Sequence, residues 1–136
     1  MAEDDEHDIV ATKRAWKKHH IANPLYVVNN GEECLDFLRH RGKYADPVAA
    51  PQPGILLLDI KMPKMDGFGA LKRIREDEKL HRLPVIILTT SKAEEDRFRG
   101  YELGANAYIV KPVGFENFSE AVKTISLFWQ LVELPS

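Results

Sequence analysis

The 136-residue chain has a single cysteine, Cys34, so it can close no internal disulfide. The neighbours of Cys34 in Glu32-Glu33-Cys34-Leu35-Asp36-Phe37-Leu38 have a helical pattern, which favours a small buried apolar residue over a reactive thiol. No apolar run approaches membrane-spanning length, and the acidic opening MAEDDEHD is the reverse of a secretory leader. A cytoplasmic setting is expected. There is no excess of positive charge either: the formal net charge is −2. Without a basic patch interleaved with aromatics, neither nucleic acid nor an anionic membrane is expected as a partner. The five histidines (His7, His19, His20, His40, His81) form no cluster of metal-binding type. His19-His20 instead closes a basic helix, where cations suit the dipole. Repeats and low-complexity tracts are absent.

What is present is an alternation of helical and strand signals in a chain that is 44% hydrophobic and 29% charged, as a soluble globular domain should be. Asp5 or Asp8 can cap a helix running to about His20, with Ile9, Ala15 and Trp16 as its apolar members. Leu25-Tyr26-Val27-Val28 reads as a strand after Pro24, Asn29-Asn30-Gly31 as a turn, and Glu32 to about His40 as a helix. Lys43 to Pro53, with three prolines, reads as a loop. Ile55-Leu56-Leu57-Leu58 and Val85-Ile86-Ile87-Leu88 are unbroken apolar runs, as strands covered on both faces should be. Helices are predicted over Gly67–Asp77, with Phe68, Leu71 and Ile74 on one face, and over Ala93–Leu103, ending at Gly104. Ala107–Val110 is the last strand, and Phe115–Leu131 the last helix. The expected fold is α/β: a doubly wound, five-stranded parallel sheet with helices on both faces. In that architecture ligands bind beyond the carboxyl ends of the strands.

Three apolar runs end there in one polar residue each: Asp59, Thr89 and Lys111. A carboxylate, a hydroxyl and an ammonium would meet on one rim, with Glu3-Asp4-Asp5 on the same side. Clustered carboxylates cannot all stay ionised without a cation, and hard oxygen donors select Mg²⁺ or Mn²⁺. A carboxylate beside such an ion can accept a phosphoryl group. The residues alone leave this reading open beside a purely structural polar rim.

The segment Leu58-Asp59-Ile60-Lys61-Met62-Pro63-Lys64-Met65-Asp66-Gly67 resembles the phosphoacceptor loop of receiver domains, the family of the chemotaxis regulator CheY. The intervals from Asp59 to Thr89-Thr90 and to Lys111-Pro112 match that family, and Glu3-Asp4-Asp5 resembles its acidic cluster. The chain is similar, more narrowly, to the small regulators paired with cyanobacterial phytochromes, on its Pro-rich Lys43–Pro53 loop and the Phe128-Trp129 pair near Leu134-Pro135.

The resemblance implies a response regulator of a two-component phosphorelay rather than an enzyme. Asp59 would accept a phosphoryl group from the phosphohistidine of a sensor kinase, one of phytochrome type if the narrower resemblance holds. Asp4, Asp59 and the backbone carbonyl of Lys61 would ligate Mg²⁺ (or Mn²⁺), and Glu3 would hold metal-bound water. Lys111 would pair with Asp59, Thr89 would move toward the phosphoryl group and Tyr108 would turn inward behind it. The Lys111-Pro112 bond would be cis. Asp5 is expected as a helix cap, Thr90 as packing, and Asp66-Gly67 as the turn that brings the loop over the metal. Lys61 and Ser91 stand where the family tunes phosphoryl loss, and Lys61 is long enough to shield the group, so a persistent phosphorylated state is expected.

The chain departs from the family at its start: only Met1 and Ala2 precede Glu3, where a full apolar strand is expected. The first strand is therefore expected to be truncated, through an internal start, a shortened strand or one supplied by a partner. Residues 1–136 are expected to form one receiver domain with no separate output domain, so output falls to a surface. That surface is assigned to the fourth helix, fifth strand and fifth helix, with Arg97, Tyr101, Tyr108, Phe115, Phe118, Phe128 and Trp129, and to a symmetric homodimer through it; Phe118, Leu127 or Leu131, each taken singly, is better read as ordinary core. Rival readings fit less well. An aspartate-nucleophile phosphatase would carry a second aspartate at the position of Lys61. A flavodoxin-like binder would want an early phosphate-cradling loop, where Glu3-Asp4-Asp5 would repel phosphate. A receiver that is never phosphorylated would not need Asp59, Thr89 and Lys111 together.

Overall fold

The computed structural model describes residues 1–131, and the side chains through Leu127. Among the described residues, five α-helices, α1 (Glu6–Lys18), α2 (Gly31–Arg39), α3 (Gly67–Glu76), α4 (Glu94–Glu102) and α5 (Phe115–Leu131), and three strands, β1 (Leu56–Leu58), β2 (Val85–Thr89) and β3 (Ala107–Val110), follow in the order α1-α2-β1-α3-β2-α4-β3-α5. The strands are parallel in the order β1-β2-β3, with Leu56 opposite Val85 and Ile86 opposite Ala107.

The unbroken apolar runs have the expected cause. Leu56, Leu58, Val85 and Ile87 face α2 and α3, in one core with Leu35, Leu38, Phe68, Leu71 and Ile74. Leu57, Ile86 and Leu88 face the other way, against Ala15 of α1 and Phe118, Val122 and Ile125 of α5. Successive strand residues point to opposite faces, so a sheet roofed on both sides needs apolar residues at every position.

Two expected strands are reduced to bridges. Ala2 pairs in parallel with Val28 on one side and Leu58 on the other, and Leu25-Tyr26-Val27 joins no ladder. The shortened first pass is thus as expected, and among the described residues the five-stranded count falls to three strands with two single-residue bridges beyond β1. The physical reason is local: a ladder needs a partner for each residue, and Ala2 supplies one. An apolar cavity of about 310 Å³ lies at this place, lined by Trp16, Tyr26, Phe37, Pro53 and Leu56 among others, at the amino end of β1.

Helix boundaries follow the sequence signals closely. The Asp5 side chain accepts from Asp8 N–H, and Asn30 from Glu33 N–H, each capping its helix. Gly104 follows α4 at φ +101°, the left-handed position a helix end favours. The Lys43–Pro53 loop is less plain than expected, because Gly42–Tyr44 form a turn of 3₁₀ helix. Tyr44 packs against Phe37, and its hydroxyl donates to Glu33 on α2. Phe128-Trp129 side chains and Leu134-Pro135 lie outside the described residues.

Candidate functional site

β1 ends at Leu58 opposite Ile87, and β2 ends at Thr89 opposite Val110. Asp59 and Lys111, each one residue past a strand end, therefore come out on one rim with Thr89. Ala2, bridged to Leu58, carries Glu3 and Asp4 to the same rim, and Asp59 N–H donates to Ala2 O at 3.0 Å. Carboxylate oxygens of Glu3, Asp4 and Asp59 lie within 4.8 Å of one another. Glu3 and Asp59 are buried and Asp4 is exposed, so the cluster opens to solvent on one side.

The loop after Asp59 is held down by a close approach. Gly67 N–H donates to Ile60 O at 3.1 Å, and a Cβ built on Gly67 would lie 2.2 Å from Asp59 O. Only glycine lets α3 start this near the site. Asp66 caps α3 through Gly69 N–H, so Asp66-Gly67 is both the expected turn and a helix start. The Gly31 amide of α2 donates to Met65 O and anchors the loop from the other side. Lys61 lies on this loop with an exposed side chain.

Lys111 is almost fully buried and pairs with Glu3 at 2.5 Å and with Asp8 at 2.8 Å. This corrects the expected direct pairing with Asp59. Glu3 is the more deeply buried carboxylate and takes the nearest cation, while Asp59 acts on Lys111 through its charge. Burial pushes the Glu3 carboxyl up to about 7; Lys111 opposes that rise and Asp59 adds to it. Burial works against the Lys111 ammonium, but Asp8, Glu3 and Asp59 outweigh it and hold its pKa above the usual lysine value.

Asp8 was legible only as a possible cap. Its signal was its position on the inward stripe with Thr12 and Ala15, both buried, on a helix that starts at the rim.

Thr89 is fully buried and sits where expected. Thr90 is exposed, which corrects its reading as packing: it follows the strand end and faces solvent. Ser91 is buried, and its hydroxyl donates to Asp96 at 2.6 Å. Tyr108 is half-buried; its hydroxyl donates to Ser91 O at 3.1 Å, and its ring lies beside Gly100 of α4. All described peptide bonds are trans, the Lys111-Pro112 bond included, which corrects the cis expectation. Trans is the cheaper isomer by roughly 0.5–1 kcal/mol even before proline.

On the assigned output face, Tyr101 and Phe98 are exposed, and Phe98 was not anticipated. Arg97 is exposed as well. Phe115 is half-buried beneath the Arg14 guanidinium, 4.0 Å from its ring centre. Phe118 is core, the reading favoured for it singly, and packs on the α1-facing side of the sheet.

The family model for the response regulator receiver domain matches residues 1–123. The chain is 33% identical to response regulator Rcp1 of Synechocystis sp., over all of this chain and 91% of that protein. The crystal structure of the phosphorylated cyanobacterial phytochrome response regulator RcpA superposes with a TM-score of 0.91 at 36% identity, over 99% of this chain and 95% of that one. The Mn²⁺-bound form of Rcp1 superposes with a TM-score of 0.89 at 33% identity, over 99% and 96%. Sequence, fold and rim therefore agree, and the chain belongs to the response regulator receiver domains, the family that works in two-component phosphorelay signalling.

Proposed function

We propose that this receiver takes a phosphoryl group on Asp59 from the phosphohistidine of a sensor kinase. The observation that carries the reading is the meeting of Glu3, Asp4 and Asp59 on one rim with the buried Lys111 ammonium. An Asp59 oxygen attacks phosphorus in line; the O–P bond forms as the P–N bond breaks, and the imidazole leaves with the electron pair. Little further chemistry is needed, and the protein's work is positioning and charge neutralisation. Lys111 neutralises charge on the phosphoryl oxygens, and Thr89 donates to one of them. Tyr108 turns inward behind Thr89.

The acidic cluster fits a divalent ion, Mg²⁺ or Mn²⁺. Its three carboxylates outnumber the one ammonium beside them. All its donors are hard oxygens. Asp4, Asp59 and the Lys61 carbonyl would hold the ion and Glu3 its water. When bound, the ion supplies positive charge against the phosphoryl oxygens.

Similarity to Rcp1 and RcpA supports a phytochrome-type kinase as the donor. We place the receiver in the cytoplasm, acting as a single domain through a surface. That surface is the α4–β3–α5 face, where exposed Phe98 and Tyr101 support a homodimer. Light scattering that finds only monomer at high concentration, with and without beryllofluoride, would sink the dimer. The phosphoacceptor is tested by incubation with acetyl phosphate and Mg²⁺ followed by intact mass. A phosphate increment on the wild type and none on Asp59→Asn is expected; equal labelling of both would refute the assignment.

A further inference from the structure

We propose that Asp8 is a positioning residue for Lys111, holding the ammonium on the α1 side of the rim and so opposing its transfer to a phosphoryl group. The proposal rests on Asp59 being the phosphoacceptor. Lys111 divides its hydrogen bonds between two carboxylates, Glu3 at 2.5 Å and Asp8 at 2.8 Å. These two partners differ in place. Glu3 belongs to the cluster with Asp4 and Asp59, so an ammonium that shifts toward Asp59 stays near it. Asp8 stands outside that cluster, on the first turn of α1.

The backbone of Asp8 is fixed on both sides. Its N–H donates to the Asp5 side chain at 3.2 Å, and its carbonyl accepts from the Thr12 hydroxyl at 2.7 Å. With its backbone held on α1, the short Asp8 side chain has little reach toward the cluster, so the contact is stretched or lost when the ammonium turns to a phosphoryl oxygen. A phosphoryl group brings new negative charge to Asp59 and competes for the same ammonium. A ligand shifts such an equilibrium only by the contacts that differ between its states, and the Asp8 contact is one that differs. The Asp8 side chain is 29% exposed, so water screens the contact and its effect is moderate.

The test is the affinity for beryllofluoride at saturating Mg²⁺, followed by tryptophan fluorescence, for wild type, Asp8→Asn, Asp8→Glu and Asp59→Asn. Asn keeps the shape and a hydrogen-bond acceptor but removes the charge. Asp8→Asn is expected to bind about fivefold to tenfold more tightly than wild type, the worth of one screened charge-assisted contact. Asp8→Glu, which keeps the charge, is expected to stay within about twofold of wild type. A merely structural role would weaken binding or leave it unchanged, and either result for Asp8→Asn, with normal wild-type binding, would overturn the proposal. A wild type that binds no better than Asp59→Asn would instead overturn the phosphoacceptor reading, and this proposal with it.

Discussion

Replacing Gly67 by alanine tests how closely the loop over Asp59 is tied to the site. At the first position of α3 two effects oppose each other. Alanine favours the helix by roughly 0.5–1 kcal/mol over glycine. Against this, the new Cβ would lie 2.2 Å from Asp59 O, 2.8 Å from Ile60 Cα and 2.9 Å from Asp59 C. All three are backbone atoms of the segment that presents the carboxylate, so no side chain can swing aside. Overpacking a well-packed site costs about 1–3 kcal/mol, and contacts this short belong at or above the top of that range. The net expectation is a loss of about 2–3 kcal/mol, read as a fall in Tm of roughly 10 °C.

Gly69→Ala is the internal control. It gains the same helix preference, and its Cβ would meet the Met65 side chain, with Cγ at 3.1 Å. That chain can shift by a few tenths of an ångström, so Gly69→Ala is expected within about 1 kcal/mol of wild type. Relief of the Gly67→Ala clash must also move Asp59, and acetyl phosphate labelling should slow at least tenfold, because small misplacements of reacting groups are expensive. The assay pairs thermal melts with timed intact-mass labelling. If Gly67→Ala matched Gly69→Ala in both, the close approach would not constrain the site and the reasoning would fail.

Three further outcomes are expected. Asp77 accepts from the amides of Lys79 at 2.8 Å and Leu80 at 3.2 Å and from Arg39 at 3.1 Å, and these hold its carboxyl below the usual carboxylate range. A depressed folded pKa gives stability above the unfolded value of about 4 that is lost as pH falls through the folded one. Asp77→Ala should therefore cost about 1–2 kcal/mol at neutral pH and distinctly less at pH 3 in urea melts, whereas a pH-independent difference would refute the charge argument. Cys34 is 1% exposed and burial pushes its thiol up to about 11, so Ellman's reagent should label it only after denaturation; rapid labelling of native protein would contradict its burial. Lys61 is exposed beside the phosphoacceptor loop, and Lys61→Ala should lose its phosphoryl group faster if the side chain shields it. An unchanged lifetime, read by intact mass over time, would remove that role.

The architecture was legible because its signals are local. Capping residues, apolar runs and Gly104 mark the helices and strands by chemistry that acts within a few residues. The rim was legible for a related reason: in a parallel sheet, a polar residue closing an apolar run has one place to go. Asp59, Thr89 and Lys111 needed only the strand ends to be found.

What escaped were relations across the fold. That Lys111 reaches Asp8 rather than Asp59 depends on how α1 lies against the end of β3, which no spacing along the chain encodes. Phe98 was overlooked because α4 buries only Gly100 and so shows no strong apolar stripe. That same weakness of packing bears on function. α4 touches the sheet where Gly100 lies beside Ile87 and Tyr108, and the Tyr108 hydroxyl reaches Ser91 O just past Thr89. A helix held by few buried side chains is cheap to displace. Of the five helices described, α4 is thus the one held to the sheet by the fewest buried side chains, and it carries the exposed Phe98 and Tyr101.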